Sequence, residues 1–505
     1  MKVGEVKKIL SLESHIEIKE IRKRKEGKVD VNEIYIKSAR KKVRCPVCNQ
    51  FSSKVHDYLK PSKILYLDIV GEKTYLIVSK RRFECKNCKR SFTEDIGLTN
   101  QDGNISLKVK QKILKDFLDK NKSLKDIAIS NHVSEDKARN IFLEATRNYP
   151  KVIKRLPEVL SLDEKATYTS EGMYSLIIND PIHRETLDIL KSRKKEDLID
   201  YFLKIENRKN VKAVIIDLYV PYKEVIKVCF PKAIIVVDPF HYTNHVIDAL
   251  DKVRMRLVHE SEEDKKSNNY YLLKNRVNKG LLLKSFSETK YELKKKEEQL
   301  EKYTQGTSKK KPKDKFNDYW YGKIKIKKNN KFIEITRVER LYQMLQLNEE
   351  LLKAYNLKED FLRIINNVKT DDVKRELKNW IKKCKESNIP EMISVAGTID
   401  NWLEEVVNSL KNEQYNNGFT EANNNVIDKI ISVSYGYKNF EFFRLRALTI
   451  LRKSYSGESQ KNIENGKLKK WVFFVRNSKK RCKKREKILK KVKIPIFPFI
   501  YRRNY

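Results

Sequence analysis

Residues Val211–His241 read VKAVIIDLYVPYKEVIKVCFPKAIIVVDPFH and decide which fold the chain adopts. Two short runs of β-branched residues each end in an aspartate, Asp217 and Asp238, and the segment between them has helical periodicity. Such runs are typical of strands buried on both faces of an α/β sheet, whose carboxyl edge collects ligands and chemistry. The stretch predicts a strand, a helix and a second strand. Its aspartates are either site carboxylates or ordinary strand-ending polar residues.

The elements before this stretch predict how the sheet is ordered. Residues 159–190 read as three successive strands, the first of which, VLSLD, ends in Asp163, and residues 194–206 have helical spacing. Three meandering strands followed by alternating helices and strands are the order of the ribonuclease-H-like fold. In that order the first strand lies beside the strand that follows the first helix. Asp163 and Asp217 are then expected to face each other, and two carboxylates held that close favour a divalent cation between them.

The charge of the chain favours a polyanionic partner. The 505 residues include 110 Lys and Arg against 68 Asp and Glu, which gives a formal net charge of +42. Such an excess is typical of proteins that bind nucleic acid. No uncharged apolar run approaches the roughly 18 residues that would span a bilayer, and no signal peptide is recognisable. We therefore expect a cytoplasmic, nucleoid-associated protein that binds nucleic acid and no membrane.

Four of the seven cysteines form two CxxC pairs, which predict a zinc site. Cys45 and Cys48 form the first pair, and Cys85 and Cys88 form the second. A CxxC turn presents two thiolates at a spacing that suits tetrahedral zinc, and four thiolates leave no open position for chemistry. The segment between the pairs has strand character, so a hairpin or small sheet must bring them together. We expect a structural Zn²⁺ in a zinc-binding domain over residues 1–100.

Residues 123–146 predict two helices joined by a tight turn. Ser123 and Ser134 are placed as N-caps, and each helix has one apolar face. This is the pattern of a helix-turn-helix, although any pair of short amphipathic helices can mimic it. In a DNA-binding domain over residues 101–150, the second helix would offer three side chains to DNA, namely Lys137, Arg139 and Asn140.

The chain after His241 is mostly helical and highly charged, and solvated helix faces are the preferred interpretation of those charges. A basic segment around Gly306–Asp318 reads as a loop. Further on, NGFTEANNN predicts a new helix, in which Thr420 is the N-cap and Glu421 begins the helix.

Together these features resemble the ISL-three family of bacterial insertion-sequence transposases, which belong to the DDE class. LDE at Leu162–Glu164, IIDLYVPY around Asp217, FPKAIIVVDPFH up to His241 and NGFTEANNN around Glu421 match motifs of that family. SYGYKNFEFFRLR matches its closing helix, and the match extends from the CxxC pairs to about Lys453.

The resemblance implies that Asp163, Asp217 and Glu421 form a catalytic triad that binds Mg²⁺ or Mn²⁺. It implies a ribonuclease-H-like catalytic domain over residues 155–455 with a large helical insertion at about 255–400. The expected reaction is cleavage at the element's terminal inverted repeats and strand transfer into target DNA, by a homodimer bound to double-stranded DNA. Asp238 and His241 are accessory candidates that would support the metal site, contact DNA or serve the structure.

Alternatives to an active transposase stay open. A silenced copy would bind DNA without catalysis, and a metal-dependent nuclease would share the triad without strand transfer. The helix after Glu421 is less basic than in family members, because Ala422, Val426 and Asp428 follow it. Residues 456–505 form a basic tail that either binds nucleic acid or is read-through of neighbouring sequence.

Overall fold

The computed structural model describes residues 6–7, 10–99, 103–150, 152–169, 172–260, 268–284, 319–328, 331–368, 371–412, 415 and 417–453. All of them lie within one compact unit, Met1–Gly457. The predicted loop around Gly306–Asp318 and the predicted tail at 456–505 lie outside the described residues.

The N-terminal part of the chain is built from short strands. They are β1 (Ile16–Glu26), β2 (Val29–Ser38), β3 (Val43–Arg44), β4 (Phe51–Ser52), β5 (Val55–Tyr58), β6 (Ser62–Ile69), β7 (Glu72–Val78), β8 (Arg81–Glu84) and β9 (Ser91–Thr93). Four of them form a sheet in the order β1-β2-β7-β6. The hairpin β6–β7 turns at Gly71, whose φ of +79° suits glycine. The predicted hairpin between the CxxC pairs is therefore confirmed, and its incorporation into a larger sheet is an addition.

Three helices follow the strands: α1 (Leu107–Phe117), α2 (Leu124–Ser130) and α3 (Glu135–Thr146). Ser123 caps α2 by accepting a hydrogen bond from the Asp126 amide, and the Asp126 side chain accepts in return from the Ser123 amide. Ser134 caps α3 by accepting from the Lys137 amide. The two predicted helices and their N-caps are thus confirmed.

The centre of the molecule is a five-stranded sheet of β10 (Val159–Thr169), β11 (Gly172–Asp180), β12 (Glu185–Leu190), β13 (Ala213–Ile216) and β14 (Ile234–Val237). Its order is β12-β11-β10-β13-β14, with β10, β13 and β14 mutually parallel. The expected pairing of the first strand with the strand after the first helix is confirmed. The expectation that the first strand ends at Asp163 was wrong. β10 continues because its later residues pair with β11, whereas β13 pairs only with Val159–Ser161.

The remaining described elements are mostly helical: α4 (Lys195–Leu203), α5 (Val220–Cys229), α6 (Pro239–Glu260), α7 (Asn268–Lys274), α8 (Arg276–Leu283), β15 (Lys323–Lys328), β16 (Lys331–Thr336), α9 (Arg337–Leu345), α10 (Glu349–Asn367), α11 (Val373–Glu386), α12 (Pro390–Asn401), α13 (Leu403–Lys411), α14 (Gly418–Val433) and α15 (Phe440–Lys453). A short 3₁₀ helix, Glu206–Asn210, precedes β13. Within the described residues, the segment at about 255–400 is mostly helical, and it contains a hairpin, β15–β16, that the sequence did not predict. Within the described ranges, no helix is long and apolar enough to cross a membrane.

Helices cover both faces of the central sheet. Along β11, Leu176 and Ile178 point into a core shared with α4, α5 and the insertion helices, whereas Ile177 points into a second core. This alternation follows from the two-residue period of a strand. The second core contains α1, α3, α14 and α15, and in it the Phe442 ring lies 6.0 Å from that of Phe117. The N-terminal helices and the closing helix therefore share one core.

Candidate metal centres

The four cysteines of the CxxC pairs converge into one cluster. Cys45 Sγ lies 3.7 Å from Cys88 Sγ, and Cys48 Sγ lies 3.4 Å from Cys85 Sγ. A tetrahedral zinc ion with sulfur ligands at about 2.3 Å requires sulfur–sulfur distances of roughly 3.8 Å. The thiols thus already lie close to the positions that zinc requires, and they support a structural Zn²⁺.

Each CxxC pair lies at the turn of a small hairpin, β3–β4 or β8–β9. Asn49 and Lys89 follow the pairs at equivalent positions, with φ of 62° and 58°. These left-handed residues reverse the chain so that backbone amides point back towards the thiols. Hydrogen bonds from the Gln50 amide and the Asn87 side chain lower the pKa of Cys48 to about 6. The turn of the first pair thereby favours the thiolate of Cys48, which is the form that binds metal, whereas burial and the neighbouring thiols raise the pKa of Cys88 in the second pair to about 11.

Three aspartates lie in a row at the carboxyl edge of the central sheet. The parallel register of β10, β13 and β14 places Asp163, Asp217 and Asp238 on neighbouring strands at the same level. Asp217 and Asp238 directly follow their strands. Asp163 lies within β10, just beyond the residues that pair with β13. This edge is where ligands bind in α/β sheets.

His241, in the first turn of α6, completes a group with two of these aspartates. Its Nε2 atom lies 2.9 Å from Asp217 Oδ1 and 3.9 Å from Asp238 Oδ2, and one ligand atom from each residue lies within 4.8 Å of the others. Burial lowers the pKa of His241, but the contact with Asp217 and the charge of Asp238 outweigh it, so that its pKa is raised. Both accessory candidates are therefore part of the carboxylate site.

Asp163 is held in the site by two hydrogen bonds. The Glu164 amide donates to its Oδ1 atom at 2.8 Å, and Asn424 Nδ2 donates to its Oδ2 atom at 2.6 Å. Only 8% of Asp163 is exposed. Burial and then the charge on Asp217 raise its pKa to about 6, against the lowering effect of the two hydrogen bonds. The site carries more negative charge than its own donors neutralise.

The carboxylate site has donors that fit a divalent cation. Asp217 Oδ1 is shielded from solvent, and His241 Nε2 contacts it at 2.9 Å. The buried carboxylates of Asp163 and Asp217 repel each other when both are ionised, and the charge on Asp217 contributes to the raised pKa of Asp163. A cation bound by oxygen ligands relieves this repulsion, and Asp163, Asp217 and Asp238 supply ligands of the type that Mg²⁺ and Mn²⁺ prefer.

Helix α14 contacts the strand ends through polar side chains. Thr420 is fully buried, with its Oγ1 atom 3.0 Å from Ser161 Oγ. The prediction that Thr420 is an N-cap was wrong, because the helix already begins at Gly418 and the hydroxyl is used to contact the sheet. Asn417 accepts a hydrogen bond from Ser161 and makes another with Asp238.

Glu421 lies in the first turn of α14 and is exposed. Within the described parts of the chain, its carboxylate has no hydrogen-bond or ion-pair partner, and it is not a member of the Asp217 group. It follows Asn417 by one helical turn and precedes Asn424 by another, and both asparagines contact site aspartates. The structure therefore groups Asp217, Asp238 and His241, places Asp163 on the neighbouring strand, and keeps Glu421 on α14 outside this group.

The three residues predicted to contact DNA differ in their surroundings. Lys137 and Asn140 are exposed one turn apart on α3. Arg139 is half-buried, because it pairs with Asp136 at 2.7 Å and its guanidinium lies 5.7 Å from the ring centre of Phe442. Of the three, Arg139 is the residue that contacts the closing helix, whereas Lys137 and Asn140 are exposed.

Sequence reasoning missed the polar contacts of α14. Asn417, Thr420 and Asn424 all contact the central sheet. Their spacing of three and four residues, continuing through Glu421, is the signal that they share one helix face.

The fold and the two clusters define an α/β protein with a thiolate centre near its N-terminus and a carboxylate centre at its sheet edge. Comparisons with known proteins agree with this arrangement. The transposase model of the ISL3 DDE family matches residues 160–447, and the zinc-finger model of the transposases IS204, IS1001, IS1096 and IS1165 matches residues 41–88. The chain therefore belongs to the ISL-three (ISL3) family of transposases.

One relative extends the similarity along most of the chain. The transposase for insertion sequence element IS1001 of Bordetella parapertussis is 22% identical over 428 residues, which are 82% of this chain and 90% of that protein. The similarity thus includes the region before the central sheet as well as the sheet itself.

Proposed function

We propose that this chain is an active insertion-sequence transposase, which cleaves DNA at the ends of its element and joins those ends to target DNA. The observation that carries the proposal is the row of three aspartates at the carboxyl edge, faced by the helix that bears Glu421. The strand order β12-β11-β10-β13-β14 supports a ribonuclease-H-like catalytic domain, because a three-stranded meander continues into parallel strands on the other side of β10.

The catalytic residues of the proposal are Asp163, Asp217 and Glu421. These residues would hold Mg²⁺ or Mn²⁺, which would supply activation of the attacking oxygen and stabilisation of the leaving oxygen at phosphorus. Asp238 and His241 flank Asp217 and fix its position at the edge of the sheet. Because the attacking group is water or a DNA 3′-hydroxyl, no side chain acts as a covalent nucleophile.

The DNA-binding parts of the proposal are the zinc module and the helix-turn-helix formed by α2 and α3. The exposed Lys137 and Asn140 support contacts of α3 with the terminal inverted repeats, and the net charge of +42 supports contacts with phosphates. Arg139 contributes by holding α3 against α15. Joining two ends requires two active sites, so the proposed DNA complex contains a homodimer.

The deciding experiment incubates the purified protein with Mg²⁺ and double-stranded DNA that carries the inverted repeats flanking the gene. Cleavage at the repeats and joining to a second DNA are expected for the wild type. Asp217→Ala should retain binding and lose both reactions, whereas Asp400→Asn, in an exposed ion pair outside the site, should retain them. Specific binding without cleavage by the wild type would identify a silent DNA-binding copy, and cleavage without joining would identify a nuclease.

A further inference from the structure

Three successive asparagines on α14 have three different environments. Asn423 is buried and donates hydrogen bonds to Asn179 and Thr186, so it serves the packing of α14 on the sheet. Asn425 is exposed. Between them, Asn424 is half-buried and donates its 2.6 Å hydrogen bond to Asp163. Of the three, Asn424 is the one that reaches the carboxylate site.

The amide of Asn424 is only half used. Its Nδ2 atom is bound to Asp163, but its Oδ1 atom is shielded from solvent and accepts no hydrogen bond from any described residue. A buried acceptor left without a donor is unfavourable and needs an explanation. Asn423 Oδ1 also accepts no hydrogen bond from the described residues, but the Asn424 amide differs from it in lying against the Asp163 carboxylate.

Asp163 and Asn424 together have the chemistry of a ligand pair. Asp163 Oδ1 is bound to the Glu164 amide, which leaves Oδ2, the atom that Asn424 orients, for a further ligand contact. Amide oxygens are accepted ligands of hard divalent cations, alongside carboxylates. Asn424 also lies one helical turn after Glu421 on α14, so the two residues are neighbours along the helix surface.

We propose that Asn424 belongs to the divalent-cation site: its Nδ2–H fixes the Asp163 carboxylate, and its Oδ1 is an oxygen ligand of the cation. The inference rests on the proposed function only in requiring that the aspartates bind a divalent cation. It adds an uncharged ligand from α14 to a site whose strand ligands are all acidic, and it gives the unsatisfied oxygen a partner.

The test measures Mn²⁺ binding to the full-length protein without DNA, by electron paramagnetic resonance of free Mn²⁺. Asn424→Ala should weaken binding by about 10- to 100-fold, the range seen when groups supporting a metal ligand are removed. Asn425→Ala is the matched control and should bind as the wild type does. Wild-type affinity in a folded Asn424→Ala protein would overturn the inference.

A second variant keeps the inference testable if Asn424→Ala does not fold. Asn424→Asp replaces the donor beside Asp163 by another carboxylate, which repels Asp163 without a cation and supplies an oxygen with one. Its melting temperature should be below that of the wild type without metal and rise more on addition of Mn²⁺. Equal rises in both proteins would contradict the role of Asn424.

Asp217→Ala separates this inference from the proposed function. Loss of Mn²⁺ binding in Asp217→Ala, with wild-type binding in Asn424→Ala, would reject the ligand role of Asn424 and leave the transposase proposal intact. Wild-type binding in both variants would reject the metal site itself, and the transposase mechanism together with it.

Discussion

The thiolate cluster and the carboxylate site are both suited to metal ions, but they are assembled in opposite ways. The four cysteines lie within 43 residues of one another in the chain, on hairpins whose strands β3 and β4 have two residues each. The hydrogen bond from Asn424 to Asp163, in contrast, spans 261 residues and joins a helix to an extended sheet with covered faces. Short hairpins are not stable alone, whereas a packed sheet is.

This difference indicates whether the metal ion organises the protein or the protein organises the metal site. At the thiolate cluster, the two hairpins contact each other through a few hydrogen bonds, such as the one from Ser52 Oγ to the Glu84 carbonyl, so we expect the metal to contribute a large part of the folding free energy there. At the carboxylate site, β10, β13, β14 and α14 hold the aspartates in place even though their charges repel. In the proposed function the cation there serves chemistry, and the packing of the sheet and α14 offsets the repulsion between the aspartates. Loss of a ligand should therefore have different consequences at the two centres.

The largest effect is expected at the thiolate cluster. Cys85→Ser should release the zinc and unfold the β3–β4 and β8–β9 hairpins, because structural zinc contributes on the order of 10 kcal/mol to the folding of such modules. The measurements are zinc content and amide hydrogen exchange over residues 41–95. Cys384→Ala, which removes a buried thiol elsewhere, should keep the zinc. Unchanged exchange protection in a zinc-free Cys85→Ser protein would show that zinc is not needed to fold these hairpins, and the contrast with the carboxylate site would be wrong.

At the carboxylate site, the expected effect is on activity rather than folding. Asp217→Asn should lower the rate of DNA cleavage at least about a thousandfold, equivalent to roughly 4 kcal/mol of activation free energy. Its melting temperature without metal should equal or exceed that of the wild type, because one of two repelling charges is removed. A melting temperature several degrees lower would show that the ionised aspartate is needed for the fold.

A smaller effect, with a definite pH dependence, is expected from Asp163→Asn. The folded protein binds the Asp163 proton more tightly than the unfolded chain, because its pKa is raised to about 6. Without metal, the free energy of unfolding of the wild type should therefore fall as pH rises from about 4 to about 6. Asp163→Asn cannot ionise and should be more stable by about 1–3 kcal/mol at pH 8.

The check on this prediction is urea unfolding at several pH values in the presence of a chelator. The advantage of Asp163→Asn should vanish near pH 4, where both side chains are neutral. An advantage of the same size at pH 4 and pH 8 would mean that it comes from packing instead of charge.

The smallest effect is expected on DNA affinity. Lys137→Ala should weaken binding uniformly across sequences and reduce the slope of log affinity against log salt by about 1, as expected for one lost phosphate contact. Arg139→Ala should change this slope less and the melting temperature more, because Arg139 is engaged with Asp136 and Phe442. Titrations at several salt concentrations measure both variants, and equal slopes for all proteins would exclude Lys137 from the DNA interface.

The same contrast explains what could be predicted from the sequence. The zinc ligands were predictable because their geometry is encoded in the CxxC spacing. The neighbouring positions of Asp163 and Asp217 followed from the strand order, since parallel register carries residues at strand ends to one edge. Asp238 and His241 stayed open because their contact with Asp217 depends on how the chain turns into α6.

The contacts of α14 could not be predicted by such reasoning. Asn417, Thr420 and Asn424 acquire their partners only when the helix packs against strands that lie more than 240 residues earlier in the chain. In isolation they resemble helix-capping residues, which is why Thr420 was misassigned. The roles of Glu421 and of the DNA-contacting residues, and the domain boundaries near 100, 150 and 455, stay predictions.

The shared core of the N-terminal helices and α15 limits how this protein can be divided. Phe142 and Phe442 are in ring contact at 5.8 Å, and the buried Arg446 of α15 donates hydrogen bonds to the backbone carbonyls of Asp119 and Lys122. A fragment starting near residue 155 would expose the aromatic face of α15 and leave Arg446 without these acceptors. Replacing the N-terminal helices by those of a relative would therefore require coordinated changes in the closing helix.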